Sequence, residues 1–142
     1  PPAEVYRVVT DYSRWPWVLT DTSGVRVEGG GPNDARVRFR SQAIGYVVTV
    51  AFENIPDRAI RFHLVEGPPG GRARGVYRLD PIDGGRRTRV TAELYLDVVG
   101  AAGIFVSGSS IRRKREAKLE RDLTDIAHWF AARNRSAAAA PP

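Results

Sequence analysis

The sequence predicts an α+β domain: an antiparallel meander of six strands packed on one long C-terminal helix, preceded by two short helices. Three observations carry this. Between residues 25 and 97, apolar and polar residues alternate in short runs separated by clusters of Gly, Pro, Asn and Asp. No helical period interrupts these runs, so the links are hairpins and the sheet is antiparallel, not parallel. From Ser109 or Ser110, either of which can cap a helix, the spacing turns helical and holds to about Asn134.

The elements follow in order. Val5, Val8 and Val9 share one face of a first short helix. A Tyr12-Ser13-Arg14 turn leads to Trp15-Pro16-Trp17, which starts a second. Strand runs begin at Val25–Glu28 and, after a Gly29-to-Asp34 turn, at Ala35–Arg40, where Val37 and Phe39 oppose three arginines. One buried and one wet face is the signature of an antiparallel sheet. Tyr46–Phe52 places Tyr46, Val48, Val50 and Phe52 on one face. Ile60, Phe62 and Leu64 alternate with Arg61, His63 and Val65. Gly75–Leu79 and Thr88–Asp97 complete the meander, the last with Val90, Ala92, Leu94 and Leu96 inward. A small-residue apolar loop, centred on Ile104, Phe105 and Val106, precedes the helix. The helix carries Leu119, Leu123, Ile126, Ala127 and Phe130 at helical spacing.

The chain has 142 residues, enough for one domain with a real core. Residues 1–135 read as that domain, and 136–142 as an Ala/Pro tail of linker character. There is no cysteine, which excludes disulfides and thiol chemistry. Two distant histidines, His63 and His128, do not make a zinc site, so no metal and no cofactor are expected. No apolar run has transmembrane length and no signal peptide is present, so a cytoplasmic location is expected. The net charge is +6 and nearly all the positive charge is arginine. A basic surface attracts anions and allows transient contact with an anionic membrane. Nucleic acid is not expected: no binding module is recognisable, and the aromatics fall on apolar strand faces. Gly29-Gly30-Gly31-Pro32 lacks the Lys and Ser/Thr of a phosphate loop, and no helix follows it.

The run from Ala3-Glu4-Val5-Tyr6 through Asp11-Tyr12 to Trp15-Pro16-Trp17 resembles the opening of the helix-grip superfamily. That superfamily includes polyketide cyclases, START lipid-transfer domains, coenzyme-Q-binding proteins and the birch-pollen-allergen fold. The resemblance implies a curved sheet wrapped around the long helix, with a ligand cavity between sheet, helix and the loop at 100–108. It also implies an opening strand, which no residue here supplies. An N-terminal segment that pairs with the sheet is therefore expected in the full gene product.

The long helix sharpens the expected cavity. Its apolar stripe, extended backwards, meets Glu116, Arg115 and Arg112 instead of leucines. Either this half leaves a cavity above the sheet or it projects into solvent past the edge. The expected ligand contacts are Phe39, Val48, Val50, Phe52, Phe62, Tyr77, Leu79 and Leu94 on the walls, Phe105 in the loop, and Arg112 and Arg115 at a charged mouth. Each wall residue also suits a plain core. Tyr46 and Tyr77 offer hydroxyls to a ligand oxygen. His63 points away from the cavity, and Asp80, Asp83 and Asp97 sit at turns and strand ends. No nucleophile, base and orienter stand in an obvious set. The expected function is binding or transport of a hydrophobic small molecule such as a lipid, isoprenoid or polyketide. The alternative is a cyclase or dehydratase acting on a polyketide-like substrate. A polar pair inside the pocket would favour the enzyme, and an all-apolar lining the carrier. The oligomeric state is not fixed by the sequence.

Overall fold

The computed structural model describes residues 1–42, 45–98 and 108–139, without the side chains of 96–98, 108–115 and 139. Helix α1 (Pro2–Val9) buries Val5, Tyr6 and Val9 and passes through a 3-10 turn (Tyr12–Arg14) to the short α2 (Trp15–Val18). The strands are β1 (Thr22–Gly29), β2 (Arg36–Ser41), β3 (Tyr46–Phe52), β4 (Ala59–Glu66), β5 (Gly71–Ile82) and β6 (Arg87–Val98). They form one antiparallel sheet in sequence order. Helix α3 (Gly108–Ala139) lies against β6 and α2. This is the helix-grip architecture that the meander and the opening run predict. Register shifts between Ser23 and Arg26, and between Thr49 and Val50, break the ladder and bend the strands. Gly24, with φ of 59°, supplies the left-handed residue that the first irregularity needs.

The inner face is unevenly filled. Tyr12 and Trp15, from the 3-10 turn and α2, seal the β2–β3 side, while α1 lies against β5 and β6. Trp15 meets Phe39 and Phe52 edge-on at ring distances of 5.3 and 5.6 Å, and its Nε1 donates to the Val9 carbonyl at 2.8 Å. Val37, Phe39, Val48, Val50 and Phe52 are buried there. The aromatic contacts continue from Phe52 to Phe62 and from Phe62 to Tyr77, at 6.0 and 5.9 Å. Beyond that point cover thins: Phe62, Leu64, Tyr77, Val90 and Leu94 are only half-buried.

Phe62 reaches this position because Gly75 stands directly opposite it. A β-carbon on Gly75 would lie 2.4 Å from the Phe62 ring and 2.8 Å from the Glu93 carbonyl oxygen. Gly75→Ala is therefore expected to displace the ring and lower stability by about 1–3 kcal/mol, as overpacked cores do. A denaturant melt checks this, and restoring space with Phe62→Leu should recover part of the loss.

Several expectations are corrected. Tyr46 keeps the register of the inner face with Val48 and Val50 but is 47% exposed. It is the first residue of β3, paired with Ser41 beside the turn, and no aromatic ring packs on it among the described residues. Strand β5 extends at both ends beyond Gly75–Leu79, taking in residues expected as loop and turn. Helix α3 continues through Ala139, past the expected end near Asn134 and into the Ala/Pro tail. Its buried seam is wider than the apolar stripe: Asp122 and Ile126 are buried and Lys118, Leu119, Leu123, Trp129 and Phe130 partly so, whereas Glu116, Ala127 and His128 are exposed. Tertiary ion pairs admit Lys118 and Asp122 to a seam that an apolar pattern would not assign to them.

Candidate functional site

A buried polar network sits where β5, the end of β2 and α3 meet. Asp21, in the link from α2 to β1, is fully buried, as is Ser41 at the end of β2. The Ser41 hydroxyl donates to Asp21 Oδ2 at 2.7 Å. One helical turn separates Lys118 from Asp122, so both project from the same face of α3. Lys118 Nζ donates to Asp21 Oδ2 and to Asp122 Oδ2, each at 3.0 Å. From β5 the Tyr77 hydroxyl donates to the same Asp122 oxygen at 2.9 Å. Asp122 Oδ1 is buried and has no hydrogen-bond partner among the described residues. A buried oxygen of this kind calls for a partner that the described residues do not supply.

Burial sets the protonation states. It pushes the Asp122 carboxyl above the ordinary carboxylate range, against the pull of Lys118 and of the Tyr77 hydrogen bond. It also pushes the Tyr77 phenol well above its usual value, reinforced by the Asp122 charge. For Lys118, burial favours the neutral amine, but the charges of Asp122 and Asp21 outweigh it and raise the ammonium's pKa. At neutral pH the site thus offers a neutral phenol, an ammonium and a carboxyl of raised basicity. A hydroxyl-bearing guest can donate to Asp122 Oδ1, and Tyr77 and Asp122 together make an acid–base pair.

Of the expected contacts, Phe39, Val48, Val50, Phe52 and Leu79 lie inside the packed core. Phe62, Tyr77 and Leu94 stand on the half-buried part of the inner face, and only Tyr77 joins the polar network. Phe105 lies outside the described residues, as do the side chains of Arg112 and Arg115. The expected cavity borders on that region. His63 is exposed on the outer face, as its alternation with Phe62 and Leu64 predicts. The sequence reading missed Asp21, Lys118 and Asp122. A signal for two of them exists: Lys118, Asp122, Ile126 and Trp129 fall at spacings of four, four and three, a helical stripe of mixed polarity. Nothing local marks Asp21.

Among the described residues no group of three or more His, Asp or Glu could hold a metal ion, and no helix is long and apolar enough to cross a membrane.

The sheet, its covering helix and the polar pair beneath them define a helix-grip domain. Residues 1–128 match the model of the family described as polyketide cyclase / dehydrase and lipid transport, and the chain belongs to that family. Among solved structures it is similar to the Zhui aromatase/cyclase from a Streptomyces species, at 22% identity and a TM-score of 0.76, covering 96% of this chain and 90% of that one. The two-domain ARO/CYC protein StfQ from the steffimycin biosynthetic pathway matches at 15% identity and a TM-score of 0.76, over 94% of this chain and 47% of that one. A Thermus thermophilus protein matches at 20% identity and a TM-score of 0.70, over 98% and 92%. At these identities the likeness is one of fold. No curated protein matches the chain in sequence.

Proposed function

We propose that this chain binds a hydrophobic, oxygen-bearing small molecule (a lipid, isoprenoid or polyketide) between the inner sheet face and α3. The observation that carries this reading is the buried Asp122 Oδ1, without a partner among the described residues, on an inner face where Phe62, Tyr77 and Leu94 are only half-buried. Apolar walls with a few placed polar groups are the usual make-up of small-molecule sites. Phe39, Val48, Val50, Phe52 and Leu79 back those walls. A carrier of this kind would load by transient contact with an anionic membrane.

The test is a titration with an anilinonaphthalene dye. Micromolar affinity is expected, roughly 8 kcal/mol. Leu94→Arg, at a half-buried position, should abolish binding while the fold still melts cooperatively. Dye binding no better than to a solid-core protein of similar size would overturn the reading.

One observation favours the enzymatic alternative, a cyclase or dehydratase. Tyr77 and Asp122 form a donor–acceptor pair on the inner face, the feature that separates a reactive site from an apolar container. Two structural neighbours, the Zhui aromatase/cyclase and the ARO/CYC protein StfQ, support the same class. With a linear poly-β-ketone thioester as substrate, Tyr77→Phe and Asp122→Asn should each slow product formation by about 10²–10⁴-fold. Unchanged rates in both variants would leave the carrier reading alone.

A further inference from the structure

The opposite face of the sheet carries a second recess, independent of the interior site. A cavity of about 460 Å³ opens over β4, β5 and β6, bordered by Arg61, His63, Arg74, Glu93 and Tyr95, with Glu53 at the rim. The register explains it. His63, Arg74 and Tyr95 are direct neighbours across three strands, and Arg61, Val76 and Glu93 form the adjacent row. Val76 is the shortest side chain among these six, so it makes a low floor between taller walls. Arg61 and Arg74 are diagonal neighbours, about 7–8 Å apart at the backbone, a gap that two long side chains close easily.

The charges around this floor are unevenly answered. Glu93 is held by Arg78 at 2.7 Å, and that carboxylate is therefore already satisfied. Arg61 and Arg74 form no ion pair and no side-chain hydrogen bond among the described residues. Glu53 at the rim offsets one of the two guanidinium charges and leaves the pocket net positive. The Arg74 guanidinium sits over the Tyr95 ring, 5.3 Å from its centre, so its position is set before any ligand arrives. A guanidinium held in place loses less freedom when it forms its hydrogen bonds.

We propose that this outer recess is a binding site for a phosphate-type anion, gripped by Arg61 and Arg74 with the His63 imidazole as a third donor. Two forked guanidinium groups and an imidazole exceed what one carboxylate accepts, and suit a tetrahedral group with three or more acceptor oxygens. The phosphate could be free in solution or part of a lipid headgroup, and the two sources are told apart below.

The test follows backbone amide resonances of the full chain during addition of sodium phosphate at low ionic strength. Saturable shifts confined to residues 61–63, 74–76 and 93–95 are expected, with a dissociation constant on the order of 1 mM. Arg61→Gln with Arg74→Gln should weaken binding at least tenfold. Arg36→Gln, on the same face but outside the recess, should leave it unchanged. Equal weakening by Arg36→Gln would show only a diffuse basic field and overturn the proposal, as would shifts that never saturate. A second arm uses vesicles of phosphatidylcholine containing phosphatidylglycerol. Vesicle binding lost in the double variant assigns the site to a lipid headgroup. Phosphate binding without vesicle binding assigns it to a soluble phosphate.

Discussion

Replacing Lys118 with Met is expected to cost about 3–5 kcal/mol at neutral pH, the range for removing one partner of a buried ion pair. Lys118 is bonded to Asp21 and Asp122, whose side chains are 0% and 3% exposed, so its loss withdraws the ammonium that both carboxylates share. The loss should shrink as pH falls toward the ordinary Asp value of 3.8, because protonation removes the charge that lacks a partner. In the parent protein the opposite end of the pH scale is informative. Lys118, Tyr77, Tyr12 and Tyr6 all hold their protons more tightly in the fold than at their ordinary values of 10.5 for lysine and 10.0 for tyrosine. The unfolded chain releases these protons first as pH rises, which pulls the equilibrium toward unfolding. Stability from these groups is complete below about pH 10 and is lost above it. Thermal melts of parent and Lys118→Met at pH 5, 7 and 10.5 check both statements. A variant as stable as the parent at pH 7 would show that the network contributes nothing net.

Trp15→Ala should have an effect of similar size, about 3–5 kcal/mol, since it empties a large aromatic site in the core. Trp15 is 5% exposed and touches Tyr12, Phe39 and Phe52, so the cavity would open at the junction of α2, β2 and β3. The melting temperature should fall by on the order of 10 °C or more. Trp15→Phe separates packing from hydrogen bonding. It keeps a ring but leaves the Val9 carbonyl without its donor, a loss of about 1–3 kcal/mol. Trp17, 72% exposed only two residues away, is the internal control, and Trp17→Ala should stay within about 0.5 kcal/mol of the parent.

The contrast between those two tryptophans shows what the sequence makes legible. Strand order, hairpin links and the inner residues of β2 follow from alternation, because a half-buried sheet enforces period two on every side chain. Tyr46 obeys the alternation yet stays exposed, because alternation gives the face a side chain shares and not what covers it at the strand's end. The long helix was legible as a helix and in its apolar stripe, but not in the full width of its buried face. Leu119, Leu123, Ile126 and Phe130 mark part of the buried seam, and Lys118 and Asp122 join it by answering each other's charge. The same exchange hid the polar site. Tyr77 was legible as an inward hydroxyl, whereas Asp122 gains its meaning only from the strand that faces it. Asp21 was beyond reach altogether, because its partners lie 20 and 97 residues away.

The short link between α2 and β1 bears on where this chain can change length. The Thr20 amide and hydroxyl both donate to Asp125, Arg121 donates to the Thr20 hydroxyl, and the next residue, Asp21, receives Lys118. Two consecutive residues thus address two successive turns of α3. One inserted residue between Leu19 and Thr22 would move both contacts out of step with the helical pitch, and no side-chain substitution could restore the spacing. The turn between β4 and β5 faces no such constraint: Glu66, Gly67, Pro69 and Gly70 are exposed, and Gly70 already adopts a left-handed φ of 72°. Insertions and deletions among relatives should therefore collect in the hairpin turns and spare the two residues that latch the long helix to the sheet.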